Sequence, residues 1–598
     1  MATDEQFIER PYENERDKAL TYVASLIDQA SKDPKNRQED INQLLTIQKL
    51  LNGKKYGLVW EEHEEKVDKE MKTKIPVFKE DHKRIIHGDK QSYKYNFLLV
   101  GDNLHSLHLL EKTHRSRVNV ICIDPPYNTL NKDFKYNDKF VDSSDEYVHS
   151  KWISFMYRRL TQAKKLLTYD GVIMINIDNN EYANLKLLMD QVFPNGYVTT
   201  IHVEMSTVQG MKVRSAKNGN IVKNAEYILV YSKDGHHNVM KHPLYNRTNY
   251  DHHYNQFLTK ENNYYNCRQI SEVLQEHQDI TRQLEALGLV NKSHSLSNSK
   301  IGVYYDSSEL VREFINKNAD LVVRDHTSIT IKNNVDYLEG KVYPYFHGKR
   351  KYLIQKNKDG KYTQKIPFST KLGKSDDFKP EYGPLKIRGD WWKDFYLDMG
   401  NVNKEGGVKL SNGKKPLRLI KQLLKATTDK DDIVLDFFAG SGTTGQAVLD
   451  LNKEDGGHRE IILCTNNESK IAEKITYQRM KNVNDGYGKY AANPFNMKYF
   501  KTAFVDKDST NLEKELLKNV KTLIELQYGI NFEDSNFGFV TNQKEVAKQQ
   551  LKGVSKVFMR GRVHKMMSPE EQDRYSLANV QIIDIPETFF GKELQGWM

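Results

Sequence analysis

Residues 118–128 read Val118-Asn119-Val120-Ile121-Cys122-Ile123-Asp124-Pro125-Pro126-Tyr127-Asn128. A short β-branched, apolar run ends in an acid, two prolines and an aromatic. The run predicts a buried strand. Neither proline can donate to a ladder, so the strand stops there and the backbone turns outward. Asp124 and Tyr127 are thereby delivered to the carboxyl edge of a strand, where open α/β sheets bind ligands. The plainer alternative is a strand exit that needed rigidity.

The flanking pattern supports a sheet. Asn96–Val100 reads as a strand leading into Gly101-Asp102-Asn103, and Leu104, Leu107, Leu109 and Leu110 suggest a short helix. Trp152, Phe155, Met156, Leu160, Ala163 and Leu167 predict a helix over 147–167, followed by a buried strand at 172–177 and a helix over 180–192. Strands at 198–205 and 225–232 can pair as a hairpin across a long basic loop. Strand alternating with helix predicts a parallel sheet covered on both faces.

Outside this unit the pattern changes. Helical spacing at 17–30 and 39–52, closed by Gly53, predicts a helical N-terminal region over 1–90. Its charged part, 61–92, reads as mostly surface, a packing or oligomerisation element. From 236 to 400 long apolar runs become few, and polar aromatics alternate with basic residues, as in Tyr343-Pro344-Tyr345-Phe346-His347-Gly348-Lys349-Arg350-Lys351. Such a surface suits nucleic acid. The histidines in Tyr250-Asp251-His252-His253-Tyr254 lack a clean ligand spacing, and no metal is expected. Helix 416–427, strand 432–436, a helix through Ala447–Leu449, strand 460–465 and helix 469–481 restore a β-α-β pattern. Past 500, helix 510–526 and strands at 556–559 and 579–585 predict a small α+β domain over 501–598.

Composition adds bounds. The 598 residues allow roughly three to four domains. Mean hydropathy is −0.73, and no apolar stretch approaches the ~20 residues of a membrane span. Met1–Glu5 lacks the basic and apolar parts of a signal peptide. The three cysteines are far apart and form no zinc or disulfide pattern. A reducing cytoplasm is the expected compartment. The net charge of +10 is compatible with a polyanionic partner.

A second motif lies at the end of strand 432–436. Asp436-Phe437-Phe438-Ala439-Gly440-Ser441-Gly442-Thr443-Thr444-Gly445 opens a helix, and Gly440, Gly442 and Gly445 match G-x-G-x-x-G. With Glu468 roughly twenty residues on, a nicotinamide site fits. Asp436 argues for a different ligand. A dinucleotide does not need that acid, whereas the cationic amino-acid end of S-adenosylmethionine does. Glycines let the backbone approach the ligand, and Glu468 is the nearest acid for ribose hydroxyls.

Here the chain resembles the amino-methyltransferases of DNA. Asp124-Pro125-Pro126-Tyr127 is similar to their catalytic motif, and Asp436–Gly445 to their cofactor motif. The catalytic motif comes first, which resembles the β group, a circular permutation of the same sheet. The quoted segments Lys55–Glu61, Asp124–Thr129, Phe134–Phe140, His149–Trp152 and Thr465–Glu468 resemble the Mod subunit of Type III restriction–modification systems. The resemblance runs from about residue 50 to 500. It implies a Rossmann-like, S-adenosylmethionine-dependent methyltransferase sheet with its catalytic half at 91–235 and its cofactor half at 401–500. It also implies a target-recognition domain at 236–400, and dimer or partner contacts at 501–598. Asp102, with Asn103, would meet the cofactor adenine, and Lys415 before Pro416 its methionine end. Asp124, Pro125, Pro126 and Tyr127 would carry catalysis on a flipped adenine in double-stranded DNA. Asp at the first motif position favours adenine over cytosine. The partners implied are DNA, a second copy of the chain and a separate helicase–nuclease subunit, since no Walker-type motif is present. A stand-alone methyltransferase, a catalytically silent DNA-recognition subunit and a nicotinamide oxidoreductase are the alternatives.

Overall fold

Along Val118–Ile123, Val120 and Cys122 face one side and Ile121 and Ile123 the other, and both sides are buried. A strand buried twice needs helices on both faces. The computed structural model describes residues 15–52, 60–130, 134–136, 139–140, 145–236, 238–291, 294–329, 337–347, 350–410 and 413–595. Its centre is an 11-stranded sheet. The order is Lys74–Glu80, Asn496–Asp506, Asn96–Val100, Glu460–Thr465, Ile433–Asp436, Val118–Ile123, Leu167–Ile177, Ala225–Ser232, Tyr197–Glu204, Trp391–Trp392, with Ile86–His87 beside Asn496–Asp506. From Asn496–Asp506 to Leu167–Ile177 neighbouring strands run parallel.

One face is covered by Asn103–His114, Val148–Leu166 and Tyr182–Val192, through residues such as Leu107, Trp152 and Leu188. The other is covered by Leu417–Thr427, Thr443–Asp455 and Tyr477–Asp485, through Leu423, Val448 and Met480. The chain leaving Val118–Ile123 crosses the first face to reach Leu167–Ile177 on one side. The chain leaving Ile433–Asp436 crosses the opposite face to reach Glu460–Thr465 on the other. These two adjacent strands therefore flank a topological switch point, and a crevice opens at their carboxyl ends.

Tyr197–Glu204 and Ala225–Ser232 pair antiparallel, as the hairpin expectation has it. The segment 61–92 differs from expectation. Ile75, Val77 and Phe78 are buried, and Lys74–Glu80 is an edge strand of the main sheet. Its central Ile75-Pro76-Val77-Phe78 is too short, and too closely flanked by lysines, to stand out. Ahead of it, helices Glu15–Ala30 and Pro34–Asn52 pack on each other. Gly53 and residues 55–59 lie outside the described residues. The predicted helix 469–481 is replaced by a turn with Ser469 and Lys470 at φ 49° and 62°, a π-helical stretch Ala472–Thr476, and the helix Tyr477–Asp485.

Residues 236–400 are more regular than their composition suggests. Gln256–Glu261, Tyr264–Gln269, Val342–His347, Arg350–Lys356, Tyr362–Pro367 and Val322–Ile329 close into a barrel. Helices between 270 and 317 add a core around Ile270, Leu274, Tyr304 and Ile315. Past residue 500, Phe537–Val540, Lys556–Arg560 and Gln581–Ile585 form a three-stranded parallel sheet with helices between them, so strands and helices alternate rather than segregate. Helices Leu512–Lys518 and Val520–Tyr528, broken at Asn519, bury Leu516, Leu523 and Ile524 in the core beneath the main sheet. No helix of the described residues is long and apolar enough to cross a membrane.

Candidate active site

The crevice at the switch point is about 70 Å³ and is lined by both motifs: Cys122, Ile123 and Asp124 from one strand, and Asp436 and Phe438 to Ser441, with Thr443 and Thr444, from the other. Asn176, Gly413, Lys415 and Ile420 complete the lining.

The Asp124 turn is held from below. Asn176 Nδ2 donates to the Ile123 carbonyl at 3.0 Å, and Trp152 Nε1 to the Pro126 carbonyl at 2.8 Å. Asn128, at φ 56°, donates to Glu181 Oε1 at 2.6 Å. Glu181 is fully buried and also meets His149 Nδ1 at 2.7 Å. These bonds hold the proline turn rigid, with Asp124 at the crevice and Tyr127 against Lys415 and Glu226.

Lys415 fills the gap between the two halves. Lys414 donates to the carbonyls of Glu405 and Val408, each at 2.8 Å, and anchors the segment. Pro416 then caps the helix Leu417–Thr427, so Lys415 stands in the turn between anchor and helix. Its Nζ lies 3.2 Å from Asp124 Oδ1 and 3.3 Å from Glu226 Oε2, and 4.6 Å from the centre of the Tyr127 ring. Tyr127 donates its hydroxyl to Glu226 Oε2 at 3.3 Å. Burial pushes the Asp124 carboxyl up, against the opposing pull of Lys415. Burial works against the Lys415 charge, but the two acids raise it to about 12. Lys414, buried against carbonyls, is lowered to about 8.

Among the described residues Asp436 pairs with no cation. Its Oδ1 accepts from Phe438 N at 2.9 Å and its Oδ2 from Thr444 Oγ1 at 2.6 Å. Burial raises it to about 7, only partly offset by these neutral donors. Gly442, at φ 75°, caps the helix Thr443–Asp455, whose free N–H groups favour an anion. A Cβ at Gly445 would stand 2.8 Å from Met480 Sδ and 2.9 Å from Leu463 Cδ1, so this glycine serves close packing of helix on sheet. A buried acid without a cation beside a helix N-terminus fits a zwitterionic, cationic ligand such as S-adenosylmethionine.

The other predicted cofactor residues sit further out. Asp102 caps Asn103–His114 by accepting from Leu104 N at 2.8 Å. It also pairs with the fully buried Arg159 at 3.1 Å, which Glu65 holds at 2.8 Å. Asn103 Nδ2 donates to the Phe437 carbonyl at 2.8 Å. The Phe437 ring is buried in the core. Glu468 is about half exposed and pairs with Lys135 at 2.9 Å. Among the described residues one His/Cys/acid cluster has metal-like spacing, Asp251, His252 and His253 in the inserted region. There Asp251 accepts from His253 at 2.7 Å and pairs with Arg324.

The family model described as DNA methylase, N6_N4_Mtase, matches residues 118–477. The chain belongs to this DNA methylase family. Among curated proteins it is 29% identical over 417 residues to the probable type III restriction-modification enzyme HindVI Mod subunit of Haemophilus influenzae, covering 65% of this chain and 51% of that one. The StyLTI Mod subunit of Salmonella typhimurium is 29% identical over 473 residues, covering 73% and 62%. The EcoPI Mod subunit of Escherichia phage P1 is 31% identical over 430 residues, covering 64% and 59%. The chain thus spans about half to three-fifths of the length of these relatives.

The methylase match takes in both motifs, Lys415 and the inserted barrel. It also takes in residues that sequence reasoning missed. Glu226 sits inside an apolar strand run, Glu181 and Asn176 carry no motif, and Trp152 stood in a quoted segment with no role assigned to it. Of these, only an acid next to the edge of an apolar strand gave any signal.

Proposed function

We propose that this methylase transfers a methyl group from S-adenosylmethionine to the exocyclic N6 amine of an adenine flipped out of double-stranded DNA. In this reading it is the modification and DNA-recognition subunit of a Type III restriction–modification system, working as a homodimer with a separate helicase–nuclease subunit. The supporting observation is the shared crevice, in which the Asp124 turn and the Asp436 loop face each other with Lys415 between them.

The cofactor, when bound, supplies an electrophilic sulfonium methyl. Asp436 would neutralise its cationic amino-acid end, with the Gly440–Thr444 turn against its backbone. Asp102, Asn103 and Glu468 would meet its adenosine end, with Glu468 first leaving Lys135. The amine of adenine is a poor nucleophile because its lone pair is delocalised into the ring. Asp124 would accept one amine hydrogen bond. Trp152 occupies the Pro126 carbonyl, so the Pro125 carbonyl would accept the other. Both localise the lone pair as positive charge develops. Tyr127 would stack on the base. Alignment of both reactants lowers the entropic barrier, and flipping costs a few kcal/mol of unstacking.

The barrel within 236–400 would read sequence, with exposed Arg350, Lys351, Lys361 and Phe346 available to DNA. The hairpin loop 205–224 leads into Glu226, which accepts from Tyr127, and carries Lys212, Arg214, Lys217 and Lys223 without any acid. These cations favour phosphate contacts. The test is transfer of labelled methyl from cofactor to DNA, with the modified base mapped by single-molecule sequencing of DNA from expressing cells. N6-methyladenine in one sequence context supports the reading. Exchanging 236–400 for a relative's segment should change that context. NAD binding without S-adenosylhomocysteine binding would overturn it.

A further inference from the structure

Lys415 lies between two acids that approach from different parts of the sheet. Asp124 ends Val118–Ile123, whereas Glu226 belongs to Ala225–Ser232, beyond Leu167–Ile177. The register Ile177↔Tyr227 carries Glu226 to the same carboxyl edge. The Lys415 ammonium is 3.2 Å from Asp124 Oδ1 and 3.3 Å from Glu226 Oε2, and Tyr127 donates to that same Glu226 oxygen. The Lys415 side chain is only 10% exposed, so its charge needs a carboxylate partner at all times.

This creates a competition at Asp124. One of the two Asp124 oxygens, Oδ1, faces an ammonium in the structure as it stands. If Asp124 were the only partner, releasing it would strand a buried cation. With Glu226 present the cation stays compensated, and Tyr127 stays fixed through its hydroxyl. Resting on the methyl-transfer reading above, we propose that Glu226 is a positioning residue: it retains the Lys415 ammonium and the Tyr127 hydroxyl while Asp124 turns an oxygen to the target amine.

The charged and titratable groups around Asp124 are Lys415, Glu226, Tyr127 and, from the facing loop, Asp436, with Asp178 near Tyr127. Glu226 raises the Asp124 carboxyl, and Lys415 lowers it. Removing the Glu226 charge therefore moves the acid limb of the rate–pH profile to lower pH, while the plateau falls.

The experiment is single-turnover methyl transfer by the full chain with Glu226→Gln, Glu226→Asp, Lys415→Met and the Glu226→Gln/Lys415→Met double variant. Binding of S-adenosylhomocysteine and of target DNA is measured in parallel. Glu226→Gln should slow transfer about 10- to 100-fold, change both affinities less than about threefold and shift the acid limb down. Glu226→Asp should recover part of the rate. In the Lys415→Met background the Glu226→Gln loss should shrink, because the cation it retains is gone. Wild-type transfer with an unaffected Glu226→Gln variant overturns the proposal. So does a rate loss matched by an equal loss of cofactor affinity with an unmoved pH profile. Absence of transfer by the wild type overturns the methyl-transfer reading itself, and the proposal with it.

Discussion

Val118–Ile123 and Ile433–Asp436 are neighbouring parallel strands, and each delivers an acid to one crevice. Their surroundings differ. Asp124 has a resident cation, Lys415, whereas Asp436 has only a hydroxyl and an N–H. Two identical side chains are thus prepared for different partners. Asp124 faces an ammonium whose pull opposes the burial that raises its carboxyl. Asp436, raised to about 7, is held by neutral donors alone. Environment, not residue type, divides the labour.

The largest effect should come from the acid with the resident cation. Asp124→Ala should lower methyl transfer about 10³-fold or more, since an acceptor aimed at developing charge is lost. Binding of S-adenosylhomocysteine by calorimetry should stay within about threefold. A matched loss of binding would erase the distinction between the two acids. Asp436→Asn should reverse the pattern, weakening cofactor binding about 10- to 100-fold at pH 8, the range for a charge-assisted contact.

The same contrast gives a pH dependence. The folded Asp436 carboxyl is raised, so its contribution to stability is present below the unfolded value near 4 and is lost as pH rises through about 7. A cationic ligand reverses this by favouring the charged form. Cofactor affinity should therefore weaken about tenfold per unit as pH falls below 7. The rise in Tm on adding cofactor should be greater at pH 8 than at pH 6. Asp436→Asn should flatten both trends. The smallest change sharpens the role of the third glycine. Gly445→Ala should cost about 1–3 kcal/mol by thermal or denaturant unfolding, because its Cβ must push Met480 and Leu463 aside.

The apolar runs of the sheet were legible because strands buried on both faces must be apolar throughout. The barrel in 236–400 was not. Its strands Arg350–Lys356 and Tyr362–Pro367 bury only two residues and one, respectively, so no alternation stands out. Lys74–Glu80 was hidden for a different reason: its buried run is short, and an edge strand tolerates the lysines and proline around and within it. At the site, Asp124, Tyr127, Asp436 and the glycine turn were legible because turn chemistry is local. Glu226 was not, because nothing near it in the chain marks it as different from other strand-edge acids.

From its own pattern the chain determined the two strand-to-turn motifs, the parallel sheet and a ligand edge, since periodicity and proline or glycine stops depend on near neighbours. Only the tertiary structure decided that Val118–Ile123 and Ile433–Asp436 lie side by side with their helices on opposite faces. Strand order then set which acid received the lysine and which was left with neutral donors. That depends on contacts between residues hundreds of positions apart, where charge and burial act through space.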